Sequence, residues 1–303
     1  MRRESKSSRG PTTSVLERLL VPLDGSSFSE GVLTFVRWVV THREAEVMLV
    51  GVLNGAEPSP EDSVESTSDY LEWQRNSLLV DGTNVQYEVL TNPTPAEAIL
   101  SFAREYEPSL IAMSTHGRAG ADRWIRGSVT ESVLRASPCP VLTCNAERSP
   151  DTPEELQFRR ILVPLDGSER SGQIIPVVRE LAALSRASVT LLHVIEPAPV
   201  PVQIPVAVGA FAVPEMTPIE ADALLETFRW QLVEPGISVR AMSARGTAAA
   251  TILRVAEDER VDLVAMTTHG RSGLSRLFFG SVAEEVLRHC RCPSLVNRTA
   301  GLP

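Results

Sequence analysis

The sequence predicts an α/β fold built twice over, each copy a parallel sheet with helices on both faces. Three observations carry this. Short apolar runs alternate with segments of helical periodicity along the whole chain, the pattern of βαβ units. A six-residue stretch, Val21-Pro22-Leu23-Asp24-Gly25-Ser26, recurs as Val163-Pro164-Leu165-Asp166-Gly167-Ser168, an offset of 142 (24 to 166). A glycine-bearing loop, Ser114-Thr115-His116-Gly117-Arg118-Ala119-Gly120 followed by Gly127-Ser128-Val129, recurs as Thr267-Thr268-His269-Gly270-Arg271-Ser272-Gly273 followed by Gly280-Ser281-Val282. Its offset is 153 (117 to 270). The second copy therefore holds eleven more residues between these landmarks, and the Pro-rich stretch 197–218 is the place for them. This is a duplicated domain of about 140 residues, not a short-period solenoid.

The elements follow in order. Leu19 to Leu23 reads as a first strand, with a helical pattern over Ser29 to Val40 (apolar at Val32, Leu33, Val36, Val39 and Val40). Val47 to Leu53 is a second buried strand. An acidic segment, Glu57 to Asp69, leads into a helix ending near Val80, then Val85 to Leu90 alternates as a third strand. Pro95 stands at the start of a helix reaching Tyr106. Leu110 to Met113 is the fourth strand and Val141 to Thr143 the fifth, after Pro138 and Pro140 have stopped the last helix. The second copy repeats the order with strands at Ile161 to Leu165, Val189 to Ile195, Val239 to Met242, Leu263 to Met266 and Ser294 to Val296. Asn145 to Phe158 is polar, contains Pro150 and Pro153, and reads as a linker. The expected division is a disordered tail over 1–14, a domain over 15–145, a linker over 146–154 and a second domain over 155–298.

The chain has 303 residues, 43% hydrophobic and 22% charged, the composition of a globular protein. A net charge of -9 argues against nucleic acid and anionic membrane as partners. No apolar run approaches the roughly 20 residues of a membrane span. The basic tail over 1–10 is not followed by a hydrophobic stretch of signal-peptide type, so cytoplasmic location is the expectation. Cys139 and Cys292 stand at equivalent places before a proline. Cys290-Arg291-Cys292 is too tight for the usual two-residue-gap metal or redox pair, and a buried structural thiol is the expected role of each cysteine.

Chemistry is expected where loops leave the carboxyl ends of strands. Asp24-Gly25-Ser26 follows strand one and His116-Gly117 strand four; if those strands are neighbours, both loops flank one crevice. A glycine lets backbone approach a phosphate. Ser128-Val129-Thr130-Glu131 and Ser281-Val282-Ala283-Glu284 fit a capping box with serine at the N-cap, so first-turn N–H groups would face an anion. Asp24 and Asp166 have two readings: acceptors for a ribose hydroxyl, or the ordinary turn and helix cap that Asp-Gly-Ser makes after a strand. His116 and His269 have no paired nucleophile or carboxylate, and a loop-fixing role suits them better than catalysis. No GxxxxGK[ST] loop, no GxGxxG at the first helix of either half and no metal-ligand cluster is present.

These residues resemble the universal stress protein family in its tandem form, over nearly the whole chain. The resemblance rests on Val-Pro-Leu-Asp-Gly-Ser at the first strand, Ser/Thr-Thr-His-Gly-Arg at the fourth, Gly-Ser-Val nine residues later, and Cys-Pro before the last strand. It implies two Rossmann-like domains of the adenine nucleotide alpha hydrolase-like type, each with strand order 3-2-1-4-5. Some members bind ATP and others do not. By position, the phosphate site it implies is Gly117, Gly127, Ser128 and Val129, and in the second half Gly270, Gly280, Ser281 and Val282. The adenine and ribose region it implies is Pro22, Asp24, Val52 and Met113, and Pro164, Asp166, Val194 and Met266. The family also pairs domains through the fifth strand, which sets Val141-Leu142-Thr143 against Ser294-Leu295-Val296 as a pseudo-dimer within the chain; a further homodimer stays open.

One departure matters. The first glycine of the family's GxxG is Ser114 in one half and Thr267 in the other, and a β-branched threonine is the poorer substitute where φ must be positive. Trp124 and Arg126 against Leu277 and Phe279 suggest sites of unequal affinity. The apolar part of the insert, Val202 to Val213, would pack over the second crevice or against another chain. The expectation is a non-catalytic ATP-binding stress protein, with Mg2+ accompanying the nucleotide. The alternatives are an interaction module of the same fold without nucleotide, and a weak ATPase.

Overall fold

The computed structural model describes residues 14–53, 63–79, 83–115, 129–145, 156–197, 216–268 and 280–298. The tail, most of the linker, the insert over 198–215, and His116, Gly117, Trp124, Arg126, Gly127, Ser128, His269, Gly270, Leu277 and Phe279 lie outside them.

The first half runs β1 (Arg18–Leu23), α1 (Ser27–Glu30), α2 (Leu33–His42), β2 (Glu46–Leu53), α3 (Val64–Leu78), β3 (Asn84–Thr91), α4 (Pro95–Tyr106), β4 (Leu110–Ser114), α5 (Val129–Ala136) and β5 (Val141–Cys144). The second repeats it as β6 (Arg160–Pro164), α6 (Glu169–Gly172), α7 (Ile175–Ser185), β7 (Ser188–Ile195), α8 (Pro218–Arg229), β8 (Ser238–Arg245), α9 (Ala248–Asp258), β9 (Leu263–Thr267), α10 (Ser281–His289) and β10 (Ser294–Asn297). The ten expected strands are all present, most a residue or two longer. One helix differs: the segment expected over Ser29 to Val40 is two pieces. Ser26 caps a four-residue turn whose last residue is Glu30, and the chain re-enters a helix at Leu33.

The strands form one sheet of order β3-β2-β1-β4-β5-β10-β9-β6-β7-β8. Within each half all neighbours are parallel, in the order 3-2-1-4-5. The two halves join antiparallel through their fifth strands, with Thr143 opposite Ser294, Leu142 opposite Leu295 and Val141 opposite Val296. The strand carboxyl ends of the two halves therefore point in opposite directions. Central strands are buried on both faces, as continuous apolar runs require: β4 and β5 are buried throughout. The outer strands β3 and β8 alternate and expose polar residues such as Gln86, Glu88 and Arg240, which blunt an edge against further pairing.

Helices cover both faces. One apolar layer is continuous across the seam: Phe35 and Trp38 on α2, Val177 and Leu181 on α7, and Leu142 and Leu295 beneath them. The other joins Ile99 and Val133 to Val255 and Val286. The segment before β6 drops Phe158 onto α2 of the opposite half, its ring 5.9 Å from Phe35 and 5.5 Å from Trp38. In return, the segment before β1 docks on α7. The Val15 N–H donates to Glu180 Oε2 at 2.6 Å, and the Ser14 hydroxyl and Arg43 engage Oε1. Among the described residues no helix is long and apolar enough to cross a membrane.

Candidate functional site

Strand β1 pairs directly with β4, and β6 with β9. In each half the loop after the first strand and the loop after the fourth consequently leave the sheet side by side, where the strand order reverses.

The first-strand loops are built alike. In the second half Asp166 Oδ1 accepts from the Ser168 N–H at 2.9 Å and from its hydroxyl at 2.6 Å. The Ser168 hydroxyl in turn accepts the Ser171 N–H at 3.1 Å and caps α6. Asp24, Ser26 and Ser29 repeat the arrangement with Asp24 Oδ1. Gly25 and Gly167 take φ of 79° and 82°, the left-handed conformation that closes the turn at little cost only without a Cβ. The turn-and-cap reading of both aspartates is therefore what their Oδ1 atoms show.

Beyond β6, β7 and β9 lies a cavity of about 450 Å³. All seven of the described positions expected in the second half line it: Pro164, Asp166, Val194, Met266, Gly280, Ser281 and Val282. They come from four separate segments, and the sheet topology is what gathers them. Pro22, Asp24, Val52, Met113 and Val129 occupy the corresponding places in the first half, with Pro22 and Met113 buried and Asp24 exposed.

The N-terminal end of α10 forms one wall. Gly280 is its N-cap and donates its N–H to the Thr268 carbonyl oxygen at 2.9 Å. A Cβ at Gly280 would stand 2.8 Å from that oxygen, so the residue must be glycine for the loop end to close on the strand. Ser281, Val282 and Ala283 are the first residues of α10, whose N–H groups the helix itself does not satisfy, and all three line the cavity. The expected capping box does not form here: the N-cap is Gly280, which has no side chain, and Ser281 is the first helical residue. The Glu284 N–H bonds the Gly280 carbonyl oxygen, and its carboxylate pairs with Arg288 at 3.0 Å.

Other lining residues carried no signal in the sequence. Glu196, just past β7, accepts the Ala248 N–H at 3.1 Å and so closes the first donor of α9. His193 is buried on β7 and donates from Nδ1 to the Leu165 carbonyl oxygen at 2.8 Å, because a carbonyl can only accept. Met216 and Ile252 add apolar wall.

One tie at the fourth-strand end has no counterpart in the second half, because Ala283 stands in place of Thr130. In the first, the buried Ser114 hydroxyl donates to the Ser29 carbonyl oxygen at 3.2 Å, and Thr130 donates to the Ser114 carbonyl oxygen at 3.0 Å. In the second, Thr267 faces the cavity. The four cysteines are all free thiols. Cys144 is buried as expected, but Cys139, Cys290 and Cys292 are only half-buried. Cys290 and Cys292 bring their sulfurs to 3.4 Å of each other, a contact the spacing argument did not foresee.

Fold and site together define a doubly wound α/β protein with a ligand-sized crevice at the strand carboxyl ends beside a helix N-terminus. The chain belongs to the universal stress protein family: the model of that family matches residues 16–145 and again 157–298. A universal stress protein of Methanocaldococcus jannaschii is 30% identical over 139 residues, which is 46% of this chain and 81% of that protein. One from Mycobacterium tuberculosis is 28% identical over 211 residues, 68% of this chain and 66% of that protein. Among solved structures, a universal stress protein from Archaeoglobus fulgidus has a TM-score of 0.69 at 19% identity, covering 95% of this chain and 97% of that one. A universal stress protein from Pseudomonas aeruginosa gives 0.61 at 16%, covering 93% of both chains. At these identities the likeness is one of fold.

Proposed function

We propose that this chain binds an adenine nucleotide, ATP, at the strand-one/strand-four crevice, and that its nucleotide state governs association with partners in a stress response. The observation that carries the reading is the second-half cavity, where seven positions that the family resemblance implies meet a helix N-terminus. The cavity lies within the range of about 300–1,000 Å³ typical of sites for ligands of this size. Its donor set also fits. The α10 end, with Gly280, Ser281 and Val282, would hold phosphate on backbone N–H groups, worth ~0.3–2 kcal/mol from the helix end alone. Pro164, Val194 and Met266 would supply apolar walls for a base, and Asp166 would accept from a ribose hydroxyl. Magnesium would arrive with the phosphates, since it is commonly held by substrate oxygens and one or two carboxylates. Gly117, Gly127, Ser128, Val129, Pro22, Asp24, Val52 and Met113 take the same roles in the first half, and Gly270 joins the second set. No base or nucleophile is assigned, so turnover is at most a weak ATPase. The chain acts as a cytoplasmic protein, its own pseudo-dimer.

The test is to purify the protein without added nucleotide, denature it and quantify released adenine nucleotide, then titrate ATP into the wild type and Gly280→Val. Wild-type binding that the variant loses in the second half, with circular dichroism unchanged, is the expected result. Titrations identical in both proteins would overturn the site assignment.

A second reading, an interaction module without nucleotide, draws on Ser114 and Thr267. Ser114 stands where the family pattern has glycine, and its hydroxyl ties the end of β4 to α1, a structural use. Neither retained nucleotide nor ATP binding in the titration would favour that reading.

A further inference from the structure

The turn between α10 and β10 holds a feature that the proposed nucleotide site does not use. Cys290 is the C-cap of α10, its N–H bonded to the Val286 carbonyl oxygen at 2.7 Å, and Cys292 stands two residues on, before Pro293. Their sulfurs are 3.4 Å apart and both side chains are half-buried. Residues two apart span at most about 7 Å between Cα atoms, at the upper edge of the separation a disulfide accepts. The sulfurs need only close to about 2 Å.

The duplicated half supplies a built-in comparison. The equivalent turn carries Ser137 in place of Cys290 and Cys139 in place of Cys292, at the same offset of 153 (137 to 290). There the Ser137 oxygen lies 3.8 Å from the Cys139 sulfur, and its hydroxyl donates to the Cys139 carbonyl oxygen at 2.6 Å. The backbone turn thus brings these two side chains together in both copies, but only the second copy has sulfur on both.

We propose that Cys290 and Cys292 are a peroxide-oxidisable dithiol, a modification site closing to a reversible intrachain disulfide at the end of α10. The Cys290 thiolate attacks one oxygen of hydrogen peroxide. The O–O bond breaks and hydroxide departs, leaving Cys290 as a sulfenic acid. Cys292 then attacks that sulfur, the S–O bond breaks, and the Cys292 proton leaves with the hydroxide as water. In sum, two thiols and one peroxide give one disulfide and two waters.

Local chemistry supports the order of attack. The Cys292 thiol donates to the Cys290 sulfur, and this bond outweighs burial, so Cys290 is lowered to about 7. The same bond and burial push Cys292 up. Burial alone raises Cys144 to about 12 and is the main cause of Cys139 at about 11, so those thiols stay protonated and slow.

The experiment treats the full chain with hydrogen peroxide at neutral pH, alkylates the remaining thiols after denaturation and weighs the intact protein. It then digests with trypsin without reduction. The expected wild-type result is a loss of about 2 Da before alkylation with two of the four thiols protected. Tryptic peptides on either side of Arg291 should stay joined, and dithiothreitol should part them. Cys290→Ser reproduces the residue that the first half folds with and should form no such link. Three outcomes would overturn the proposal: all four thiols still alkylated, higher oxidation of Cys290 without a link, or a disulfide between chains instead.

Discussion

At the residue scale, the two copies show what duplication leaves free to change. Position 16 of the first half corresponds to 158 of the second, and 38 to 180, both at an offset of 142. Phe158 meets Trp38 as an aromatic pair, whereas Leu16 and its neighbours meet a carboxylate, Glu180. One contact across the seam is apolar and its symmetry mate is polar. Glu180 is about a quarter exposed and receives the Val15 N–H, the Ser14 hydroxyl and Arg43. Glu180→Ala should lower stability by about 1 kcal/mol, because half-buried donors lose their acceptor, and Glu180→Gln by less. Urea unfolding monitored by tryptophan fluorescence reads both; midpoints that do not move would remove Glu180 from the account. The cysteines give a second residue-scale expectation. Iodoacetamide should label Cys290 with a pH midpoint near 7, four pH units before Cys139 at about 11. Peptide mapping over a pH series would show it, and equal labelling of the two would contradict it.

At the element scale, α3 is strutted to α1 by Tyr70. Its hydroxyl donates to Glu30 Oε1 at 3.1 Å, and Gln74 donates to the same oxygen at 2.9 Å. Burial, then the Glu30 charge, pushes the Tyr70 phenol well above its ordinary 10.0. Tyr106, against Arg18 and Glu46, is raised as well, again chiefly by burial. The sign follows from linkage. The native state keeps these protons while the unfolded chain releases them, so the stabilisation is complete below pH 10 and is lost as pH rises above it. Tyr70→Phe should flatten the alkaline fall in melting temperature, and an unchanged slope would assign the fall elsewhere. The strands were legible because central parallel strands are continuous apolar runs, and β1, β4 and β9 declare themselves that way. The break between α1 and α2 was not, because apolar spacing runs straight through Val32, Leu33 and Val36. The cap of α10 was misplaced by one residue because Ser-x-x-Glu describes composition, whereas the bond from Glu284 goes to the Gly280 carbonyl. Of the cavity, motif-bearing positions were legible; Glu196, His193 and Ile252 were not, since β7 and α9 bring them in by tertiary packing alone.

At the scale of the whole molecule, the antiparallel pairing of β5 with β10 fuses the sheet, and the layer under α2 and α7 seals it. Leu142 and Leu295 sit opposite one another there, almost wholly buried. Truncating either to Ala should cost about 2–5 kcal/mol. Amides of residues 141–143 and 294–296 should exchange slowly with solvent at a rate that does not change on dilution; protection that fades on dilution would mean the seam forms between chains instead. The order of the sheet was legible through the family resemblance, since nothing in the spacing of Val141-Leu142-Thr143 states what it pairs with. That seam has a consequence for how such a molecule evolves. Two halves on one chain see each other at an effective concentration on the order of millimolar, so their pairing survives a weakening that would scatter separate subunits. Every substitution also enters once, not twice. A harmful change on one side of the seam can be offset on the other without meeting its own mirror image. The Glu180 latch facing one way and the Trp38 stack facing the other are the kind of unequal inheritance that a symmetric pair of identical chains could never have kept.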